Sequence, residues 1–437
     1  MKLRILFIIC LALSVAITTV QAAILRNNSD NKYQLKEVVV LSRHNIRSPL
    51  SGNGSALAEI TPHKWFEWTS APSELSLRGG ELETMMGQYF RKWLVSEGLM
   101  PENYQPAEGE VRFYANSMQR TIATAQYFSS GMLPVANVRV EHKLEVGKMD
   151  PVFNPQLTFV SKAFRSAALA QISAMGGDRG FEGICESLKS EFTLLEKVLD
   201  MKNSNYAKKN ADYHFRTDDL EIVLNVNEEP TMRGSLKLAN QASDALILQY
   251  YEESNHVKAA FGHNLRSSKW ERIAHVKDVY GDVLFTAPVV AVNVAHPLLQ
   301  LMNEELSLSN RKFTFLCGHD SNIASVLAAL EVEEYSLPNS IEKKTPIGCK
   351  LVIEKWADAN GEEYASLNLV YQSTEQLRNR LMLSLNNPPM IFQLKLKGLE
   401  QNADGLYKLS DLQNRFNEAI TAYDNLPDDC VALEEAA

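Results

Sequence analysis

A basic loop containing one histidine is the first place where the sequence suggests chemistry. Residues 41–50 read Leu-Ser-Arg-His-Asn-Ile-Arg-Ser-Pro-Leu and follow the apolar run 38–40, which predicts a buried strand that opens into a loop. Arg43 and Arg47 carry planar guanidinium groups, which match phosphate oxygens two at a time. His44 lies between them, and nearby positive charge disfavours its protonated form. A neutral imidazole keeps a lone pair, so the loop predicts a nucleophile beside a phosphate site.

Taken alone, a basic loop after a strand is more often a solvated surface, so a second feature is needed. That feature is Cys317-Gly318-His319-Asp320-Ser321-Asn322, which follows an apolar strand pattern at 313–316. The Asp320 carboxylate stands where it can reach a pocket, although an aspartate there could equally cap the following helix. The two segments together favour a shared site more strongly than either segment does alone.

A third arginine follows another transition from strand to helix. The pattern predicts a strand at 111–115, a turn at Asn116-Ser117 and a helix that begins near Met118 and carries Arg120. A guanidinium at a helix start adds its charge to the favourable N-terminal dipole, and both suit a phosphate. Arg120 could instead be an ordinary surface charge of the helix, and these residues alone do not decide between the two.

These segments resemble a known family. Arg-His-Asn-Ile-Arg-Ser-Pro at 43–49 is similar to the Arg-His-Gly-x-Arg-x-Pro signature of the histidine acid phosphatases, and His319-Asp320 is similar to its second half. The resemblance implies an α/β domain with a helical insertion, and no metal or other cofactor. It also implies that His44 is the nucleophile and that Asp320 is the proton donor. The residues implied to bind the phosphate are Arg43, Arg47, Arg120 and His319.

The chain departs from the family pattern at two positions beside the nucleophile. Asn45 replaces the usual glycine, and Leu50 stands where the phytase branch usually has threonine. The second departure leans against a dedicated phytase. The resemblance therefore predicts an acid phosphatase of sugar phosphates, with glucose 1-phosphate first. Inositol hexakisphosphate hydrolysis and broad specificity remain alternatives. An acidic optimum is expected, because an aspartate with an ordinary pKa near ~3.9 is mostly ionised at neutral pH.

Two alternatives from other classes fit parts of the sequence. A periplasmic binding protein could capture a phosphorylated sugar without cleaving it, but such a protein has no need of an acid beside the phosphate. A glycosidase would use paired carboxylates at the anomeric carbon of the sugar. Labelled water separates a phosphatase from a glycosidase, because the label enters the phosphate after attack at phosphorus and the sugar after attack at carbon.

The elements that must position these residues follow an α/β pattern. An amphipathic helix at 81–97 should pack on the sheet, and mainly helical patterns such as 182–200 and 241–253 fill the middle of the chain. We expect a central mixed sheet flanked by helices, with an α/β core at 23–149 and 288–437 and a helical inserted cap at 150–287. Later predicted elements are a helix at 288–301, a hairpin of strands at 349–356 and 367–371, a strand at 391–396 and a helix at 411–423.

The N-terminus has the pattern of a secretory signal. Residues 1–22 join a charged start, a short apolar core and small residues, so we expect their removal and a periplasmic or secreted protein. Removal takes away two basic residues and no acids, so the net charge of −9 becomes −11. An acidic protein needs a local positive pocket to hold an anion. We expect a small phosphomonoester as the partner, with no nucleic acid and, after cleavage, no membrane.

Four cysteines remain after removal of the signal, namely Cys185, Cys317, Cys349 and Cys430. They allow three pairings, and the sequence does not choose among them. Cys317 and Cys349 lie in apolar strand patterns, so we expect these two to be free thiols in the core. No cysteine or histidine spacing resembles a zinc site, in agreement with the absence of a predicted metal.

Overall fold

The structure is a computed structural model, and it describes residues 32–52 and 54–428. The predicted signal at 1–22 and Cys430 lie outside the described residues. The strands are β1 (Tyr33–Arg43), β2 (Val111–Ala115), β3 (Val140–Glu141), β4 (Glu221–Val223), β5 (Thr231–Arg233), β6 (Phe313–Gly318), β7 (Lys350–Asp358), β8 (Glu363–Tyr371), β9 (Met390–Gln393) and β10 (Tyr407–Lys408).

The helices lie on both sides of the sheet and fill the middle of the chain. In chain order they are α1 (Ala56–Glu59), α2 (Leu77–Ser96), α3 (Gln119–Met132), α4 (Lys162–Ala174), α5 (Gly180–Ser187), α6 (Lys189–Val198), α7 (Asn205–Lys209), α8 (Ser235–Glu252), α9 (His256–Ala259), α10 (Ser267–Phe285), α11 (Pro288–Leu306), α12 (Asp320–Ala329), α13 (Thr374–Asn379) and α14 (Leu409–Asp424). Two short 3-10 helices add Gly177–Arg179 and Met201–Asn203.

Eight of the described strands form one mixed sheet. Seven of them follow the order β10-β8-β7-β1-β6-β2-β3, and β9 pairs with β8 off this path. β1 runs parallel to β6 and antiparallel to β7, while β2 runs parallel to β6. The predicted α/β class with a central mixed sheet is confirmed. Because β1, β6 and β2 are parallel neighbours, their carboxyl ends meet at one edge of the sheet.

The central strand β1 contributes side chains to two different apolar clusters. Val38 and Val40 pack in the cluster that contains Phe90 of α2, whereas Val39 and Leu41 belong to the cluster that contains residues of α11 and α12. All four β1 side chains are fully buried. Side chains alternate between the faces of a strand, so an uninterrupted apolar run fits a strand that is covered on both faces.

Helix α2 begins at Leu77 rather than at 81, so its predicted start was wrong. Ser76 caps the helix, because its hydroxyl accepts a hydrogen bond from the Gly79 N–H at 3.1 Å. Gly79 lies inside the helix for a packing reason. A Cβ atom on Gly79 would lie 2.5 Å from the carbonyl oxygen of Ile46. The missing side chain therefore allows α2 to lie directly against the basic loop.

The middle of the chain is rich in helices but differs in detail from the prediction. The single helix predicted at 182–200 is wrong, because two helices, α5 and α6, meet at Leu188. The Leu188 N–H bonds to the carbonyl three residues back, at 3.0 Å, which tightens the chain into a turn. The helix predicted at 241–253 begins earlier, as α8, and the hairpin of β4 and β5 was not predicted. The proposed cap boundary at 150–287 stays a prediction.

The last part of the sheet follows the predicted hairpin. β7 and β8 pair antiparallel along most of their lengths, while the strand predicted at 391–396 is shorter and forms β9. Cys185, Cys317 and Cys349 are buried free thiols, which confirms the prediction for the last two. Within the described chain, no single helix has the length and hydropathy of a membrane span, and α10 and α11 meet that test only as a pair bent by 84°.

Candidate active site

All six residues singled out from the sequence line one cavity. Arg43 is the last residue of β1, and His319 directly follows β6, the parallel neighbour of β1. Asp320 begins α12, and Arg120 is the second residue of α3, which follows β2. The common edge of the parallel strands thus brings the four together. The cavity of about 2110 Å³ exceeds the ~300 to 1,000 Å³ of most small-ligand pockets, so the candidate site is its portion around this cluster.

The Arg43 guanidinium is buried and fixed on one side. Its Nη1 donates to Glu342 Oε1 at 2.8 Å and to the Thr345 carbonyl at 2.6 Å, and its Nη2 lies 3.4 Å from Asp320 Oδ2. Burial lowers the pKa of Arg43, but the carboxylates of Asp320 and Glu342 outweigh burial and raise it above its ordinary value. Arg43 is therefore a permanent cation in a fixed orientation.

The structure determines which nitrogen of His44 carries the lone pair. Nδ1 lies 2.8 Å from the carbonyl oxygen of Asn45, and because a carbonyl only accepts, Nδ1 must carry the proton. Nε2 of the neutral ring is then free to act as a nucleophile. Burial is the largest cause that lowers the pKa of His44 well below its ordinary value, and Arg120 is the next. The sequence argument named the cations alone and missed the larger effect of burial.

His319 is also buried, and Arg120 is half-buried. The rings of His44 and His319 meet edge to face, with centroids 5.5 Å apart, and Asn116 Nδ2 lies 2.7 Å from His319 Nε2. Burial and then Arg120 lower the pKa of His319 to about 3. Burial and then Arg47 lower the pKa of Arg120 to about 10, which leaves it charged in acid and at neutral pH. The buried Arg120 Nε has no hydrogen-bond partner in the structure, as expected of a site built for an anion.

Three charged side chains that were not predicted complete the cluster. Asp244 on α8 accepts from Arg47 Nη2 at 2.8 Å. Lys277 on α10 places its Nζ 3.0 Å from Asp320 Oδ2 and 3.3 Å from Glu342 Oε1. Glu342 lies in the segment before β7 and is almost completely buried. These residues belong to no motif, and their one sequence signal is weak, since Asp244 and Lys277 interrupt apolar faces of buried helices.

The buried ion pair of Glu83 and Lys350 contacts the loop that carries His44. Asn45 Nδ2 donates to Glu83 Oε1 at 2.7 Å, and Glu83 Oε2 lies 3.0 Å from Lys350 Nζ, with both charged side chains fully buried. Lys350 also donates to the Gly348 carbonyl at 2.9 Å, and the Gly348 N–H bonds to the His44 carbonyl at 3.1 Å. A left-handed φ of 68° and a hypothetical Cβ only 2.4 Å from Asn45 Nδ2 explain the glycine at 348. The network therefore fixes the backbone around the imidazole.

The protonation of Asp320 depends on two cations. Burial raises the pKa of Asp320, but Lys277 and Arg43 outweigh burial and hold the pKa well below its ordinary value. The carboxylate is therefore ionised before a substrate binds. Asp320 does not act as the helix cap, since His319 is the N-cap residue of α12 and Asp320 is the first helical residue. The alternative that Asp320 only caps the helix is thus not favoured by the structure.

The cluster combines an imidazole lone pair, three guanidinium groups and a carboxylate, which suits transfer of a phosphoryl group. Among residues 32–52 and 54–428, no group of three or more His, Cys, Asp or Glu side chains is placed to hold a metal ion. Fold and site define a histidine-dependent phosphatase, and residues 34–373 match the family model of the histidine phosphatase superfamily (branch 2). The chain belongs to this family and is a phosphomonoester hydrolase.

Relatives within the family narrow this assignment. The chain is 40% identical to the glucose-1-phosphatase of Salmonella typhimurium over 402 residues, which cover 91% of this chain and 95% of that enzyme. It is 29% identical to phytase AppA of Escherichia coli K12, with 90% and 93% of the two chains covered. The solved structure of apo phytase from Hafnia alvei superposes with a TM-score of 0.82 at 26% identity, covering 90% of this chain and 98% of that one. The family predicted from the sequence is confirmed.

Proposed function

We propose that this enzyme hydrolyses sugar phosphates, glucose 1-phosphate first, through a phosphohistidine at His44. The observation that carries the proposal is the neutral imidazole whose lone pair is left on Nε2 beside the guanidinium groups of Arg43, Arg47 and Arg120. Attack at phosphorus in line with the ester oxygen would form the Nε2–P bond and break the bond to the sugar oxygen. Water then hydrolyses the phosphohistidine. Such a site stabilises the transition state through positioning and charge.

Each neighbour has a proposed role in this reaction. Asp320 gives the leaving sugar oxygen a proton and then takes one from the attacking water. A sugar alkoxide is a poor leaving group, so this proton is required for the first step. The phosphate oxygens would be bound by Arg43, Arg47, Arg120 and His319, which lie around the imidazole.

The charge of the cavity supports a substrate with one phosphate. Near the phosphate-binding cluster, Asp244 and Glu229 place carboxyl groups on the cavity lining. Inositol hexakisphosphate carries five further phosphates, which these acids would repel. The glucose-1-phosphatase of Salmonella typhimurium is also more similar in sequence to this chain than phytase AppA is. Phytase activity remains the second candidate, because AppA and the Hafnia alvei enzyme carry that name.

A substrate panel tests the choice of substrate. At equal concentration and at several pH values, glucose 1-phosphate should be hydrolysed faster than inositol hexakisphosphate. The reverse order would replace the first candidate with the second. Reaction in oxygen-labelled water should put the label in the phosphate, and label in the sugar would exclude attack at phosphorus.

Covalent trapping tests the nucleophile. A rapid alkaline quench during turnover, followed by mass spectrometry, should find a phosphoryl group on His44, and His44→Ala should lose at least about 10²-fold in kcat. His256→Ala is a matched control, because that imidazole is exposed and lies outside the cavity lining. An unmodified His44 in an enzyme that is accumulating product would refute the covalent mechanism.

We also propose that the enzyme works in the bacterial periplasm or outside the cell. The support is the secretory pattern of residues 1–22 and the bacterial origin of the relatives. Expression in a bacterium, cell fractionation and N-terminal sequencing should place a protein that begins near residue 23 in the periplasmic fraction. Recovery of the full-length chain from the cytoplasm would contradict this proposal.

A further inference from the structure

One lysine outside every sequence motif reaches the reacting groups. Lys277 extends from α10, whose neighbouring residues Ala274 and Val276 are buried and apolar, and its side chain is only 9% exposed. Its ammonium contacts Asp320 Oδ2 at 3.0 Å and Glu342 Oε1 at 3.3 Å. A lysine carries this charge into a buried site only when carboxylates compensate the loss of hydration. Its placement beside the proposed proton donor therefore calls for a role.

Lys277 is one member of a closed ring of four charges. Arg43 contacts the same two carboxylates, at 3.4 Å for Asp320 and 2.8 Å for Glu342, so each cation touches both anions. The ring has a fixed half and an open half. Glu342 is 1% exposed and accepts further hydrogen bonds from the Ile347 N–H at 2.9 Å and the Tyr251 hydroxyl at 3.2 Å. The Asp320 side chain is 37% exposed and faces the cavity.

Other charged and titratable groups face Asp320 from several elements. They are the cation of Arg120 on α3, the imidazoles of His44 and His319, the phenol of Tyr280 on α10 and the carboxylate of Glu229 before β5. Glu229 and Asp320 repel each other, which favours a proton on one of them. The direct contacts of Lys277 and Arg43 outweigh this repulsion, and the Asp320 pKa stays well below its ordinary value.

This ionisation changes the reason for an acidic optimum. The acidic optimum was predicted from a protonated Asp320, but in the structure this carboxylate is ionised in mild acid. A phosphate monoester has a second pKa near ~6, so in mild acid the ester itself carries one proton. The complex needs a single proton, shared between the ester and the carboxylate. The predicted acidic optimum stays a prediction, and its source becomes the substrate.

We propose that Lys277 is a positioning residue of this reaction, which holds Asp320 as a carboxylate before the substrate binds, so that the leaving group's proton arrives with the phosphate ester. The ester monoanion passes its P–O–H proton to Asp320. The His44 Nε2 lone pair forms the bond to phosphorus, the bond to the sugar oxygen breaks, and that oxygen keeps the electron pair and takes the proton from Asp320. This inference rests on the proposed function, and it adds the source of the proton.

The test is the pH profile of kcat/KM for Lys277→Met. Below the Asp320 pKa the carboxyl is already protonated and the phosphoryl group keeps its own proton, which makes it poorer at expelling the leaving group from a loose transition state. Above the ester pKa neither group carries the proton. Activity therefore falls outside these two values. Loss of the ammonium should raise the lower value by ~1 to 3 pH units, since an opposite charge at this distance lowers a carboxyl pKa by that amount. The acid limb with glucose 1-phosphate should therefore move to higher pH, and the alkaline limb, which belongs to the ester, should stay.

Two controls separate this effect from a general defect. Lys277→Arg keeps the charge and should keep the acid limb of the wild-type enzyme. With 4-nitrophenyl phosphate, whose leaving group needs no proton, the acid limb of Lys277→Met should match that of the wild type. Thermal unfolding across the same pH range shows whether each variant is folded. If Lys277→Met does not fold, the same pH profile is measured with Lys277→Gln.

The outcomes distinguish this inference from the proposed function. Three results for Lys277→Met would overturn the role of Lys277. The acid limb of kcat/KM could stay in place, it could move equally with both substrates, or kcat/KM could fall by the same factor at every pH. In each of these cases a phosphohistidine trapped at His44 would leave the proposed function standing. A wild-type enzyme without that adduct would instead remove the proposed function itself.

Discussion

The candidate site has two parts that are built differently. One part, called the floor, lies where the parallel strands end and consists of Arg43, His44, His319 and Asp320. Backbone hydrogen bonds join these strand ends, and the His44 N–H donates to the Gly318 carbonyl at 3.0 Å. The wall, formed by Asp244 and Lys277, consists of single side chains that reach in from α8 and α10. The floor therefore fixes the reacting groups in space, while the wall adjusts their charge.

The largest effect is expected from a change in the floor. Asp320→Asn keeps the shape but removes the proton donor, and general acid catalysis contributes ~10²- to 10⁴-fold. We expect kcat for glucose 1-phosphate to fall by that factor. With 4-nitrophenyl phosphate the fall should be much smaller, because nitrophenolate leaves without a proton. Steady-state kinetics on both esters provide the measurement.

An equal loss with both esters would contradict the floor's role in proton transfer. It would show that the amide mainly disturbs the arrangement of Arg43 and Lys277, which both contact the Asp320 carboxylate. Competitive inhibition by inorganic phosphate distinguishes the two explanations. An inhibition constant close to that of the wild type would indicate that the phosphate site is intact.

The difference between floor and wall also explains what could be predicted from the sequence. Arg43, His44, His319 and Asp320 follow apolar strands, so the end of each strand marked a position where chemistry could occur. Lys277 and Asp244 lie within long helices, and which face of a helix meets a distant strand end depends on tertiary packing. No local pattern carries that information, so the wall was missed.

Tertiary packing also explains why two helix boundaries were predicted wrongly from the sequence. The predicted helix at 81–97 began after Gly79, yet this residue lies within α2, where close packing against Ile46 leaves no room for a side chain. The break at Leu188 was missed because the apolar spacing continues through α5 and α6. The predicted strands at 313–316 and 111–115, by contrast, match β6 and β2 closely, since buried strands have a strong local pattern.

A second prediction concerns the buried ion pair of Glu83 and Lys350, which packs against the backbone of the floor. Lys350→Met leaves Glu83 as a buried carboxylate without its cation, and breaking a buried pair in this way costs ~3 to 5 kcal/mol. We expect the free energy of unfolding in denaturant to fall by that amount. Lys189→Met is the matched control, because Lys189 pairs with Glu186 on the surface and such pairs contribute ~0 to 1 kcal/mol.

The double variant Glu83→Gln with Lys350→Met sharpens this test. It removes both charges, so much of the lost stability should return, because no buried charge is left unpaired. Activity on glucose 1-phosphate should return less fully, since the Asn45 amide, which donates to the Glu83 carboxylate at 2.7 Å, would then donate to a neutral glutamine oxygen in a weaker hydrogen bond. Recovery of full activity together with stability would show that the network stabilises the fold without positioning His44.

The smallest effect is expected in the wall, at Asp244. Its carboxylate contacts Arg47 at 2.8 Å and occupies a donor that a phosphate would use, with both side chains partly exposed. Such a pair is worth ~0.2 to 1 kcal/mol, so Asp244→Asn should lower the inhibition constant of inorganic phosphate by roughly 1.4-fold to fivefold. Asp218→Asn is the control, because that carboxylate pairs with Arg216 on the surface. Weaker phosphate binding in Asp244→Asn would mean that the wall aims Arg47 at the substrate, and positioning would then belong to both parts of the site.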